Sequence, residues 1–235
     1  MPLWLLYIAI KEIYMITSAQ QKAIIRKTEN FVKTTLADAE GGHDWWHIYR
    51  VWKSSIKIAE TEAVDLFIVE LAALLHDIAD PKFHDGDEEI GPQTATDFLK
   101  TQNVGDEEIE HVVNIIKNMS FKNSLGKVDF HSPEMAVVQD ADRLDAIGAI
   151  GIARAFNYGG FKNRSIYNPE EKPKLNMSKE EYKKGDSPTI NHFYEKLLLL
   201  KGKMNTETGK LMAGERHQYM EDFLEQFYSE WEGER

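Results

Sequence analysis

The chain is predicted to be all-α, on three observations. Apolar residues recur at three- and four-residue spacing along most of its 235 residues. Capping residues, glycines and prolines fall where those periodic runs begin and end. No stretch alternates apolar and polar residues in the way a half-buried strand would. A single core is the simplest organisation for this length.

Each element follows from local chemistry. A helix is expected from about Ser18 to Leu36, ended by the break at Gly41 and Gly42. Asp44 is placed to cap the next helix, which runs to about Glu60. Asp65 caps a third that carries Leu66, Val69, Ala72 and Ala73 and reaches His76. Pro81, Gly86 and Gly91 punctuate a loop. Two helices follow, at 90–101 and 106–118. Pro133 suits the first turn of another, which continues through "EMAVVQDADRLDAIGAIGIARAF" with one break. Residues 157–188 are rich in Gly, Asn, Pro and Lys and are expected to form a loop or lid. The helical pattern resumes at Thr189 and closes with "AGERHQYMEDFLEQFYSEW". The main domain is therefore expected over 18–235. Residues 1–17 read as an N-terminal extension, with Met15 an alternative start.

Composition excludes several classes of function. There is no Cys, so there is no disulfide framework, thiolate nucleophile or sulfur ligand. The net charge is −11, and no Lys/Arg run offers a basic face, which argues against a polymeric nucleic acid partner. The first nine residues are apolar but too few to span a bilayer. They also lack the basic segment and cleavage site of a signal peptide. The expectation is a cytoplasmic protein with no membrane partner.

The informative stretch is "LAALLHDIADP", Leu71 to Pro81. An apolar helix ends on an adjacent imidazole and carboxylate, His76 and Asp77. His47 likewise sits among aromatic residues in "DWWHIYRV", and Asp142 within "VVQDADRLDAIG". Taken singly, each is more often a core histidine, a cap or half of an ion pair. Buried charge costs several kcal/mol unless it is paired or ligates a metal. Four such groups on three apolar helices are most economically explained by one shared cation.

These residues carry a resemblance. The ordered set His47, His76–Asp77, Asp142 resembles the metal-binding signature of the HD-domain phosphohydrolase superfamily, an all-helical bundle. The segments "GHDWWHIYRV", "ALLHDIADPKF", "QDADRLDAIGAIGIARAF" and "HFYEKLLLLKGKMNTETGKLMAGER" are similar to a bacterial subgroup that includes nucleoside triphosphate pyrophosphohydrolases. The similarity spans about residues 18–232. It implies that His47, His76, Asp77 and Asp142 ligate one divalent ion. Mn²⁺ leads, and Fe²⁺, Co²⁺, Ni²⁺ or Mg²⁺ also suit two imidazoles and two carboxylates. His43, His84 and His111 are candidates for a second metal but match no motif.

The resemblance further implies a catalytic acidic residue at Asp80, four past His76, and a second at Asp85. Arg143, Arg50, Lys82, Lys196 and Arg216 are candidate phosphate holders. Trp45, Trp46 and Trp52 are expected to pack the core, and Tyr158 with Gly159 and Gly160 to begin the lid. The implied function is hydrolysis of a small nucleotide, such as a triphosphate to monophosphate and pyrophosphate. The alternatives are a 5′-nucleotidase, a phosphodiesterase or a nucleotide-binding regulatory module without catalysis. Pro81 disfavours a guanosine tetraphosphate hydrolase, which carries an acidic pair after the HD.

Overall fold

A computed structural model describes residues 3–37, 44–79, 87, 89–119, 130–175 and 187–235, with the backbone alone over 3–17. The described residues are helical with no strand: α1 Leu3–Thr35, α2 Trp45–Ala59, α3 Leu66–Leu75, α4 Ile90–Thr101, α5 Asp106–Asn118, α6 Pro133–Asp145, α7 Gly148–Phe161, α8 Thr189–Glu195 and α9 Glu207–Trp231, with a 3-10 helix at Leu197–Lys203 between the last two. The expected all-α class and helix order are observed.

α3 is apolar at every position but Glu70, which marks an interior helix. Ile68, Val69 and Leu71–Leu75 are all buried, and α1, α2, α5 and α6 pack around it. Burial of α3 places its C-terminal end, where His76 and Asp77 stand, at the centre of the bundle. α2 turns Ile48, Val51, Trp52, Ser55 and Ile58 inward and packs on both α3 and α6. α9 lies across α6, α7 and the 3-10 helix.

The caps form as chemistry dictates. Asp44 Oδ1 accepts from His47 N at 2.9 Å, Asp65 Oδ1 from Phe67 N at 2.9 Å, and Ser132 Oγ from Met135 N at 3.0 Å. The break between α6 and α7 falls at Ala146–Ile147. Gly148 takes φ +73° there, and a Cβ would come within 2.9 Å of Arg216 Cγ.

Three expectations need correction. α1 begins at Leu3 and not near Ser18; residues 3–17 contain neither Gly nor Pro, so nothing interrupts the helix. α7 runs through the Gly159–Gly160 pair to Phe161, so the first residues of the expected lid are helical. The reason is packing: a Cβ on Gly159 would meet Thr189 Oγ1 at 2.2 Å, so the glycine permits α7 to touch α8. Trp46 is 61% exposed and not core. It lies with Tyr49, Arg50 and Lys53 on the outer face of α2 at helical spacing.

The described part of the expected lid is strapped down. Thr189 N donates to Ser165 O and Ile190 N to Ile166 O, both at 3.0 Å. Asn191 Nδ2 donates to Glu171 O at 2.9 Å. Tyr167 packs edge-on against Phe227, Tyr228 and Trp231 of α9.

His192 on α8 carries a pH dependence. Burial, with Lys196 and Arg164 nearby, holds its imidazole down to about 3. The unfolded chain therefore binds a proton, at about pH 6.5, that the folded chain refuses. This contribution to stability is complete above that value and is lost as pH falls toward 3, by about 1.4 kcal/mol per pH unit. Urea midpoints between pH 7 and 4.5 should fall accordingly, and His192→Gln should flatten the slope.

Candidate metal centre

α2 delivers His47 from its first turn, the C-terminal end of α3 delivers His76 as its cap with Asp77 directly after, and α6 delivers Asp142. The structure brings all four together. His47 Nε2 and His76 Nε2 stand 3.3 Å apart. Asp77 Oδ2 lies 3.6 Å from His47 Nε2 and 3.7 Å from His76 Nε2, and Asp142 Oδ1 lies 3.6 Å from His47 Nε2. Donor atoms of His47, His76 and Asp142 all fall within 4.8 Å of one another, a compact set beside which Asp77 stands on the imidazole side. Donors about 2.1 Å from a common octahedral ion would be separated by about 3 Å in cis and about 4.2 Å in trans.

The outer nitrogens explain why a cation fits. His76 Nδ1 donates to the Ala73 carbonyl at 2.9 Å, and His47 Nδ1 donates to Asp145 Oδ2 at 2.8 Å. Neither acceptor has a proton to return, so each neutral ring presents a bare Nε2 lone pair inward. Two facing lone pairs beside two carboxylates repel unless a positive charge stands between them. The electrostatics show the same demand for positive charge: burial opposes charge on His47, yet Asp145, Asp77 and Asp142 outweigh it and push the imidazole up to about 9, so without an ion the ring holds a proton that a bound cation would displace. The histidine side chains are 2% and 3% exposed, whereas Asp77 and Asp142 are 28% and 36% exposed. The centre therefore opens on its carboxylate side.

Asp145 was not singled out from the sequence and proves central. Besides His47, its carboxylate accepts from Arg50 Nε at 2.6 Å and Arg50 Nη2 at 3.0 Å, and from Arg154 Nη1 at 2.5 Å. Burial works against ionisation, but His47, Arg50 and Arg154 hold this carboxyl well below the usual carboxylate range. The arrangement is a carboxylate–histidine pair that sets the tautomer and ring angle of a ligand. The available signal was position: Asp145 lies three residues past Asp142, hence near it on the same helix. Asp145→Asn should lower Mn²⁺ affinity roughly 10- to 100-fold by loosening that tautomer control, read by calorimetric titration of the folded variant.

The expected phosphate holders divide. Arg50 stands beside the centre but is engaged with Asp145. Arg143 differs from expectation: it is buried, donates to the Lys203 carbonyl and lies 3.6 Å from Asp140. It thus braces α6 against the 3-10 helix, on a different side of α6 from Asp142. Arg216 donates to the Leu144 carbonyl at 2.5 Å and so caps the end of α6. Lys196 ends α8 near His192 and Arg164. His111 bonds Ser132 Oγ at 3.0 Å and approaches Glu134 at 3.4 Å, at the opposite end of α6 from Asp142. Asp80, Lys82, Asp85, His43 and His84 lie outside the described residues.

Comparison with known proteins agrees with this geometry. Residues 45–147 match the HD domain, a span that contains all four candidate donors. The crystal structure of an HD-superfamily hydrolase from Bacillus thuringiensis is similar at TM-score 0.73 and 46% identity, over 91% of this chain and 99% of that one. The uncharacterized protein YpgQ of Bacillus subtilis is 41% identical over 198 residues, 83% of this chain and 88% of its own length. The crystal structure of YpgQ in complex with ADP matches at TM-score 0.71 and 36% identity, over 90% of this chain and 96% of that one. The chain belongs to the HD superfamily of metal-dependent phosphohydrolases. Among the described residues, no helix is long and apolar enough to cross a membrane.

Proposed function

We propose that the protein hydrolyses a small nucleotide at this centre with one divalent ion, cleaving a nucleoside triphosphate to monophosphate and pyrophosphate. The observation that carries the reading is the pair of inward-facing Nε2 atoms 3.3 Å apart, flanked by two carboxylates. The ADP bound to YpgQ supports a nucleotide as the ligand class.

His47, His76, Asp77 and Asp142 would hold the ion. Two nitrogen and two oxygen donors suit Mn²⁺ first, with Fe²⁺, Co²⁺, Ni²⁺ or Mg²⁺ able to substitute. Such an ion supplies charge neutralisation for phosphoryl oxygens and lowers the pKa of water. Asp77 and Asp142 face the opening, so the phosphates approach from their side. Asp145 fixes the proton of His47 on Nδ1, which keeps Nε2 available. Arg50 and Arg154 place positive charge just behind His47 and offset the acidic cluster as an anionic substrate arrives. Asp80 and Asp85 are proposed as proton-transfer groups, and Lys82 and Lys196 as phosphate holders. Arg143 is replaced in that role because its guanidinium is committed to Lys203 and Asp140.

The test is incubation of the purified chain with each ribo- and deoxyribonucleoside triphosphate and Mn²⁺, followed by separation of products. Monophosphate and pyrophosphate in equal amounts are expected. No turnover of any triphosphate with any of the five ions would overturn the proposal. Phosphate release from monophosphates would replace it with a 5′-nucleotidase.

A further inference from the structure

Large aromatic side chains left in water are candidates for stacking. On the described surface these include Trp46, Tyr158, Phe161, Tyr219 and Trp231. Trp231 is already stacked on Phe227 at 6.0 Å. Trp46 lines a groove with Lys33, Leu36 and Ala37, turned toward α1. Tyr219 lines a shallow groove beside Gly148 and Ile150, whose guanidinium, Arg216, is committed to a backbone carbonyl.

Tyr158 differs in three ways. It stands one turn beyond Arg154 on the same face of α7, about 6 Å along the axis. Arg154 reaches Asp145, and helical side chains lean toward the N-terminus, here toward the metal centre. Two cations lie near its ring: Lys162 Nζ is 5.7 Å and the Arg164 guanidinium carbon 5.3 Å from the centroid, with Lys162 Nζ also 5.0 Å from that of Phe161. The main chain that carries those cations is fixed. Lys162 N donates to Tyr158 O and Arg164 N to Gly159 O, both at 2.9 Å, while Asn163 at φ 53° turns the chain back over the end of α7. Finally, the contact of Gly159 with Thr189 pins the turn that carries the ring. The ring is nevertheless 47% exposed.

We propose that Tyr158 is the platform on which the base of the nucleotide stacks, with Lys162 and Arg164 donating to acceptors on the edge of that base. The inference rests on the nucleotide reading above and deepens it. Stacking on an aromatic ring tolerates any base, because every base has a π face. The platform therefore sets preference for nucleosides over inorganic phosphates and does not by itself choose among bases.

The test is calorimetric titration of the full chain with Mn²⁺ present, using ADP, GDP, CDP and UDP in one arm and inorganic pyrophosphate in the other. Tyr158→Ala should weaken every nucleotide that the wild type binds by about tenfold and leave pyrophosphate unchanged. Tyr158→Phe keeps the ring and should stay within about twofold of wild type, and Trp46→Ala should change neither arm. Nucleotide affinity unchanged in Tyr158→Ala, an equal loss of pyrophosphate, or a loss in Trp46→Ala instead would overturn the platform while sparing the nucleotide reading. A wild type that binds pyrophosphate but no nucleotide would overturn both.

Discussion

Asp142→Ala should yield a folded protein that retains no stoichiometric ion and hydrolyses nothing above background. The side chain is 36% exposed, so its removal leaves neither a large cavity nor a stranded donor. The cost to folding should stay below about 1 kcal/mol. What is lost is one of four donors and half of the carboxylate charge at the opening. Loss of a supporting group beyond the ligands already costs roughly 10- to 100-fold in affinity, and loss of a ligand should cost more. Elemental analysis after dialysis against trace Mn²⁺, beside a thermal melt, separates loss of metal from loss of fold. Asp77→Ala should behave alike, since Asp77 Oδ2 lies at nearly equal distance from both imidazoles.

Asp140→Ala, only two residues away, should do the reverse and damage the fold first. Asp140 is fully buried. Its carboxylate accepts from Asn205 N at 2.9 Å, Asn205 Nδ2 at 3.0 Å, and Thr206 N and Oγ1 at 2.8 Å each. It is also the nearest countercharge to buried Arg143, 3.6 Å away. These bonds tie α6 to the start of α9, where Thr206 caps the helix through Gly209 N at 2.9 Å. Gly209 is needed for that approach, because a Cβ there would lie 2.4 Å from Asp140 Oδ2. Alanine would leave the Thr206 backbone donor unpaired and the Arg143 guanidinium without its nearest countercharge, at about 3–5 kcal/mol. In a chain of this size that corresponds to a fall of about 10 °C in Tm. Asp140→Asn keeps one acceptor oxygen and should lose about half as much. Metal bound per folded molecule should stay near wild type in both.

The contrast between these two aspartates shows what the sequence made legible. Most helices were readable because their apolar positions are periodic and their starts are marked, by Asp44 and Asp65 as caps and by Pro133 in a first turn. That His47, His76, Asp77 and Asp142 converge was readable because polar groups on otherwise apolar helices need a reason, and His76–Asp77 closes the most apolar helix of all. The supporting groups were not readable. Asp140, Arg143 and Asp145 share α6 with Asp142, and identity alone does not reveal which neighbour each side chain meets. Arg143 adjoins a ligand in sequence yet turns to the 3-10 helix, since consecutive residues on a helix point about 100° apart. Gly159 read as a break because a glycine at a helix crossing and a glycine ending a helix have the same local pattern. Trp46 read as core because the outer face of α2 became definable only once α3 and α6 occupied the other side.

The claim beneath all of this is that the donors of His47, His76, Asp77 and Asp142 surround a single cation. Crystals grown with Mn²⁺ and measured at its absorption edge test it directly through an anomalous difference map. One strong peak is expected within about 2.0–2.3 Å of both Nε2 atoms and one oxygen of each carboxylate. A map with no peak among these four side chains, or with the ion bound elsewhere, would contradict it.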